Sequence, residues 1–153
     1  MQRPVRSWVG FCWSIVERRP FERSVFVIES IDHLVLTVHS LERSCDFYVG
    51  VLGLDRVDDP GRPTSVGTGS QKINLHEVGH TFEPKAALPT PGSADVCLIT
   101  RYAVEDVLTR LRACNIPVEV GPVERAGARG PMTSVYVRDP DQNLVEIARY
   151  HGG

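Results

Sequence analysis

The chain has 153 residues, 42% of them hydrophobic and 24% charged, the balance of one globular domain or two small modules sharing a core; a large multidomain enzyme and a disordered or collagen-like chain are excluded. No stretch approaches the ~18 consecutive apolar residues that span a bilayer, and a formal net charge of −2 provides no basic face for nucleic acid, so neither membrane nor nucleic acid is an expected partner. Four cysteines, Cys12, Cys45, Cys97 and Cys114, form no C-x-x-C pair; they are expected to be reduced, the last three as core thiols, which favours an intracellular, cytoplasmic setting.

Residues 1–29 carry two Trp and an Arg excess, with neither strand alternation nor a helical stripe, and are expected to be a poorly ordered extension before a domain at 30–151. The Arg excess also suits a mitochondrial targeting segment, although Glu17 and Glu22 interrupt that pattern. From Ile31 a β-branched run predicts a strand over 31–38. Ser40 is a helix N-cap, and Leu41, Cys45, Tyr48 and Leu52 follow at helical spacing until Gly50 and Gly53 stop the helix. Strands are predicted near 55–58, 64–68 and 72–78, separated by turns at Pro60-Gly61 and Gly69-Ser70. After a Pro-rich connection, the same order returns. A strand over 94–100 precedes a helix with Val104, Val107, Leu108, Leu111 and Cys114 on one stripe, ended by Asn115 and Pro117. Strands over 118–123, 133–138 and 144–149 complete it, with 127–131 read as a mobile loop and 139–142 as a tight turn. The pattern is a βαβββ unit repeated, in modules of about 31–79 and 93–150; an offset of 63 residues superposes Thr37 on Thr100, Leu41 on Val104 and Tyr48 on Leu111.

Two such units, with Ile31-Asp32-His33-Leu34 in the first strand, Asp46-Phe47-Tyr48 and Leu52-Gly53-Leu54 in the helix, and Asp139-Pro140-Asp141 before Leu144-Val145-Glu146-Ile147, resemble the vicinal oxygen chelate superfamily of glyoxalases, bleomycin-resistance proteins and extradiol dioxygenases. The likeness covers 31–150. Asn74-Leu75-His76-Glu77-Val78 and Phe82-Glu83-Pro84-Lys85-Ala86 look most like its glyoxalase-domain members. The resemblance implies an α+β fold in which two βαβββ modules form an eight-stranded, U-shaped mixed sheet around a cleft, helices outside, with a divalent metal ion held by the first and last strands of the units.

Strand parity places candidate ligands within that picture, since residues i and i+2 share a face. Packing Leu34, Leu36 and Val38 on the helices turns His33 to the cleft; Ile73 and Leu75 leave Asn74 and His76 there; Val145 and Ile147 leave Leu144 and Glu146. His33, His76 and Glu146 are the expected metal ligands, two imidazoles and a carboxylate that leave positions open on an Fe, Mn, Zn or Ni ion, with Glu146 also catalytic. Asn74 stands where glyoxalases carry an acidic ligand. Val96 falls opposite His33 at the 63-residue offset, whereas a one-residue gap substitutes Asp95; Asn74 and Asp95 are therefore alternative ligands or outer contacts. Gln142 replaces a usual Gly. Tyr136 and Arg138, on the inward parity of their strand, are candidates to line the substrate. His39, His80 and His151 fall in loops or the tail.

The expected function is a metal-dependent small-molecule enzyme of the isomerase, lyase or dioxygenase type that chelates vicinal substrate oxygens, with a homodimer as one assembly; the alternative is a metal-free binding module of the bleomycin-resistance kind.

Overall fold

A computed structural model describes residues 28–152, so the expectations for the N-terminal extension lie almost wholly outside the described residues. In chain order the domain runs β1 (His33–Val38), α1 (Leu41–Cys45), a π-wound continuation of that helix (Asp46–Val51), β2 (Asp55–Val57), β3 (Ser65–Thr68), β4 (Gln71–Glu77), β5 (Asp95–Ile99), α2 (Val104–Ala113), β6 (Val120–Gly127), β7 (Gly130–Arg138) and β8 (Leu144–Tyr150). The strands form two four-stranded sheets of identical topology, β1-β4-β3-β2 and β5-β8-β7-β6. In each, the first and last strands of the module pair parallel across the helix and the rest are antiparallel, giving two mixed sheets.

Alternation decides which face each sheet buries. Leu34, Leu36 and Val38 of β1, Ile73 and Leu75 of β4, Val66 of β3, and Val135, Val137, Val145 and Ile147 of β7 and β8 join Phe47, Tyr48 and Leu111 from the helices in one apolar core. Full burial of a side chain such as Leu111 stabilises by about 1.5–3 kcal/mol. Ser40 caps α1, its Oγ accepting from Arg43 N at 3.4 Å. α2 carries Glu105 and Asp106 in its first turn and Arg110 and Arg112 in its last, complementing the helix dipole. Arg110 also donates to the carbonyls of Gly50 and Val51, closing the end of the π-wound segment.

Three expectations are corrected. The 127–131 stretch is not a mobile loop: Gly127 and Gly130 pair directly and β6 and β7 close a two-residue hairpin, Gly130 supplying a φ of 136°. Cys97 is not a core thiol; it is exposed, on the face of β5 opposite Val96 and Leu98, whereas Cys45 is buried and Cys114 half-buried. The same parity corrects the 63-residue offset at the fifth strand, because Val96 packs with the core and Asp95 lies on the open face.

Candidate functional site

The open faces of the two sheets carry the candidate residues in matching rungs. On the first, His33 lies beside Lys72, Val35 beside Asn74, and Thr37 beside His76. On the second, Asp95 lies beside Leu144 and Cys97 beside Glu146. Core pairs fix the correspondence, Leu34 with Ile73 in one sheet and Val96 with Val145 in the other, so His33 matches Asp95 and Asn74 matches Glu146.

His33 sits at the start of β1 with its side chain 44% exposed, and its Nδ1 meets Asp32 Oδ1 at 2.7 Å. An imidazole whose Nδ1–H is donated to a carboxylate keeps Nε2 free as a ligand. Asn74 is 7% exposed, flanked by Val35 and Ser65, and its Oδ1 is buried without a hydrogen-bond partner among the described residues. Glu146 Oε1 is in the same condition. Cys97 and Tyr136 flank Glu146 from the neighbouring strands. Although Cys97 is exposed as a whole, partial desolvation of its thiol against β8, reinforced by the charge of Glu146, raises it well above its usual range. Burial likewise raises the Tyr136 hydroxyl; Glu146 adds to that and Arg125 opposes it, its Nε donating to the hydroxyl at 3.0 Å with the guanidinium 5.4 Å from the ring centroid.

His76 occupies a separate niche. It is 5% exposed, with the connection after β4 lying over it and Phe82 tilted against its ring at 5.4 Å between centroids. Arg138 is spent in a bidentate pair with Glu119, at 2.5 and 2.9 Å, and holds the carboxyl of Glu119 below its usual range. Asp95 is exposed at the mouth of β5. His39 lies apart from these groups, its backbone N–H donating to Asp141 Oδ1 at 3.0 Å and its Nδ1 2.6 Å from the same buried carboxylate. Among the described residues no three His, Cys, Asp or Glu side chains come together as one metal-holding group. A cavity of about 450 Å³ with mostly apolar walls lies elsewhere, between the π-wound segment and α2.

The turn between β7 and β8 aims Glu146. Asp139 Oδ1 accepts from Asp141 N and Asn143 N at 2.9 and 2.8 Å, while its Oδ2 accepts from Tyr48 OH and Asn143 Nδ2 at 2.9 and 2.8 Å. Asn143 Oδ1 accepts from Ala94 N at 2.9 Å, tying the start of β8 to that of β5. Gln142 takes the left-handed φ of 72° that its turn position requires. Sequence reasoning missed Cys97, Arg125 and Lys85. Alternation along β5 carried the signal for Cys97; Arg125 lay past the expected end of β6; and Lys85 lies in a connection with no periodicity to read.

These motifs have counterparts in known proteins. Residues 30–147 match the model of the Glyoxalase/Bleomycin resistance protein/Dioxygenase superfamily. Virulence protein STM3117 of Salmonella typhimurium is 48% identical over 124 residues, 81% of this chain and 86% of that protein. Its crystal structure aligns with a TM-score of 0.79 over 82% of this chain and 99% of its own. Glyoxalase domain-containing protein RDO1 of Mycosarcoma maydis is 46% identical over 123 residues, 80% of this chain and 69% of that protein. More distant structures share the fold: lactoylglutathione lyase from Agrobacterium tumefaciens, 26% identical over 80% of this chain and 95% of its own, has a TM-score of 0.62. The antibiotic binding protein TnmS3 from Streptomyces sp. CB03234, 24% identical over 81% and 98%, has one of 0.64. With two βαβββ modules, the matched motifs and a family match across most of its length, the chain belongs to the Glyoxalase/Bleomycin resistance protein/Dioxygenase superfamily.

Proposed function

We propose that the chain is a divalent-metal-dependent small-molecule enzyme, of the isomerase, lyase or dioxygenase type, acting on substrates with oxygens on adjacent carbons. One observation carries the reading: the buried, unpartnered oxygens Asn74 Oδ1 and Glu146 Oε1 stand on matching rungs of the two sheets. Leaving such a group unpaired costs about 1–3 kcal/mol, and a hard cation repays it. His33, Asn74 and Glu146, with Asp95 beside them, are the donors we assign to the ion, an oxygen and nitrogen set that suits Fe, Mn, Zn or Ni. When bound, the ion supplies open positions for two neighbouring substrate oxygens and Lewis-acid stabilisation of the anion that forms.

The chain's own groups do the rest. Asp32 orients the His33 ring. Cys97 and Tyr136 flank Glu146 from the neighbouring strands, so its carboxylate, when not held by the ion, is the group placed to take a proton from substrate. Arg125 in turn orients Tyr136. The 74–78 and 82–86 stretches resemble glyoxalase domain-containing protein 5, which supports catalysis, while the solved structures of similar fold include both a lactoylglutathione lyase and an antibiotic binding protein. The alternative reading, a metal-free binder of apolar or cationic molecules, is favoured by Val35 and Ile99, 46% and 50% exposed on the open faces. The same side chains suit coverage by a second copy of the chain, so a dimer is the expected mass in light scattering.

Calorimetric titration of the stripped protein with Mn(II), Zn(II) and Ni(II) tests the enzyme reading. His33→Ala, Asn74→Ala and Glu146→Gln should each weaken binding by at least about 10-fold while the fold persists; parental affinity in all three sinks it. Catechols, α-hydroxy ketones and hydroxamates should raise the melting temperature of the loaded protein more than mono-oxygen analogues do.

A further inference from the structure

Between β4 and β5 the chain crosses back over the open face of the first sheet and encloses a cavity of about 130 Å³ whose walls include Thr37, His76, Lys85, Thr90 and Ser93. That is well above the ~10–15 Å³ a single water needs. His76 is 5% exposed, and its ring nitrogens have no hydrogen-bond partner among the described residues. Its ring nitrogens are not among the fully buried unpartnered atoms, so they remain reachable from the cavity. Phe82 fixes the plane of the ring from one side. In either protonation state the imidazole presents at least one N–H donor.

The sign of the charge identifies the occupant. Lys85 is the charged group lining this cavity, and its ion-pair partner Glu83, 2.5 Å away, is largely exposed and does not line it. The pair with Glu83 uses one of the three N–H donors of Lys85 and offsets part of its charge, and the remaining donors suit an anion better than a metal ion. Thr37, directly across the strand pair from His76, brings a hydroxyl to the same wall, whereas those of Thr90 and Ser93 already donate to backbone carbonyls. An ammonium, an imidazole N–H and a hydroxyl are three donors in one small space, which matches the two oxygens of a carboxylate.

We propose that this cavity is a carboxylate subsite, in which His76, Lys85 and Thr37 hold the acidic end of a substrate whose vicinal oxygens lie further along β4, toward Asn74. The assignment rests on the reading of the open face as the reactive site; it adds that the substrate is an oxygenated carboxylic acid, and it gives His76 to the substrate rather than to the metal ion.

Metal-stripped full-length protein, titrated with sodium acetate and followed by NMR of the His76 ring, tests the subsite apart from the metal. A saturable shift is expected with acetate and none with methylammonium chloride at equal ionic strength. Lys85→Met should weaken acetate binding at least 10-fold, and Lys85→Arg should retain most of it. The absence of a saturable shift, equal response to methylammonium, or unchanged acetate affinity in Lys85→Met would each overturn the proposal. Metal uptake, measured separately on the same preparations, should be equal in the parent and in both Lys85 variants; failure of uptake in the parent removes the metal enzyme and leaves the acetate result standing.

Discussion

Tyr48 illustrates how a single side chain can be read both as packing and as chemistry. Its ring is fully buried, edge-on to Phe47 at 5.1 Å between centroids, and its hydroxyl donates to Asp139 Oδ2 across 91 residues of sequence. The helical stripe marked Tyr48 as core, but nothing in the sequence announced that its hydroxyl would meet the carboxylate that organises the turn before Glu146. Tyr48→Phe should lower stability by about 1–3 kcal/mol in urea denaturation, because a buried carboxylate loses a donor. Burial, with the adjacent charge of Asp139, raises the Tyr48 hydroxyl well above its usual range. Below about pH 10 it is protonated whether the chain is folded or not, and its contribution is complete. Above that the unfolded chain ionises while the folded one resists, so stability falls as pH rises. The urea midpoint should therefore drop more steeply between about pH 9 and 11 in the parent than in Tyr48→Phe.

Among the elements, the strands were legible because alternation of buried and exposed residues is a short-range property: the expected strand over 72–78 is β4 shifted by one residue, and that over 144–149 is β8 short of its last residue. The helix after Ser40 was legible in extent and not in winding. From Asp46 it loosens to π geometry, which buries Phe47 and Tyr48 as neighbours, a face that a 3.6-residue period does not produce. The bend in β6 was also hidden. Its register with β7 shifts between Val120 and Val123, and Gly121 lies there at a φ of 118°, where an added Cβ would stand 2.6 Å from Ser134 O and 2.9 Å from Val135 Cα. Gly121→Ala should cost about 1–3 kcal/mol through backbone strain alone. It should also disturb the Tyr136 rung, which begins at Val120, visible as altered amide shifts along β7.

Taken whole, the two modules are joined by a few polar bonds as well as by the shared core. Tyr48 to Asp139 and His39 to Asp141 cross between the modules, and both converge on the five-residue turn that Asn143 ties to Ala94 within the second module. Both modules should accordingly melt in a single transition, with calorimetric and van't Hoff enthalpies equal. His39→Ala, which removes the imidazole beside the 3%-exposed carboxylate of Asp141, should lower that transition without splitting it. Reducing agent should leave it unchanged, since Cys45, Cys97 and Cys114 are free thiols. A chain begun at residue 30 should keep the transition, because the family match starts there. The duplication itself was readable from element order, and the matching rungs only in part: a one-residue difference between the modules, invisible to a fixed offset, decides whether Val96 or Asp95 matches His33.

That one-residue difference has a consequence for the stereochemistry of binding. Two unaltered copies of one module would present an unsymmetrical ligand with two equivalent poses related by half a turn, and hence with no preferred direction. Here the equivalent rungs hold an imidazole and an amide on one side, His33 and Asn74, and two carboxyl groups on the other, Asp95 and Glu146. The degeneracy is gone: the two open faces offer different chemistry, an imidazole and an amide on one and carboxyl groups on the other.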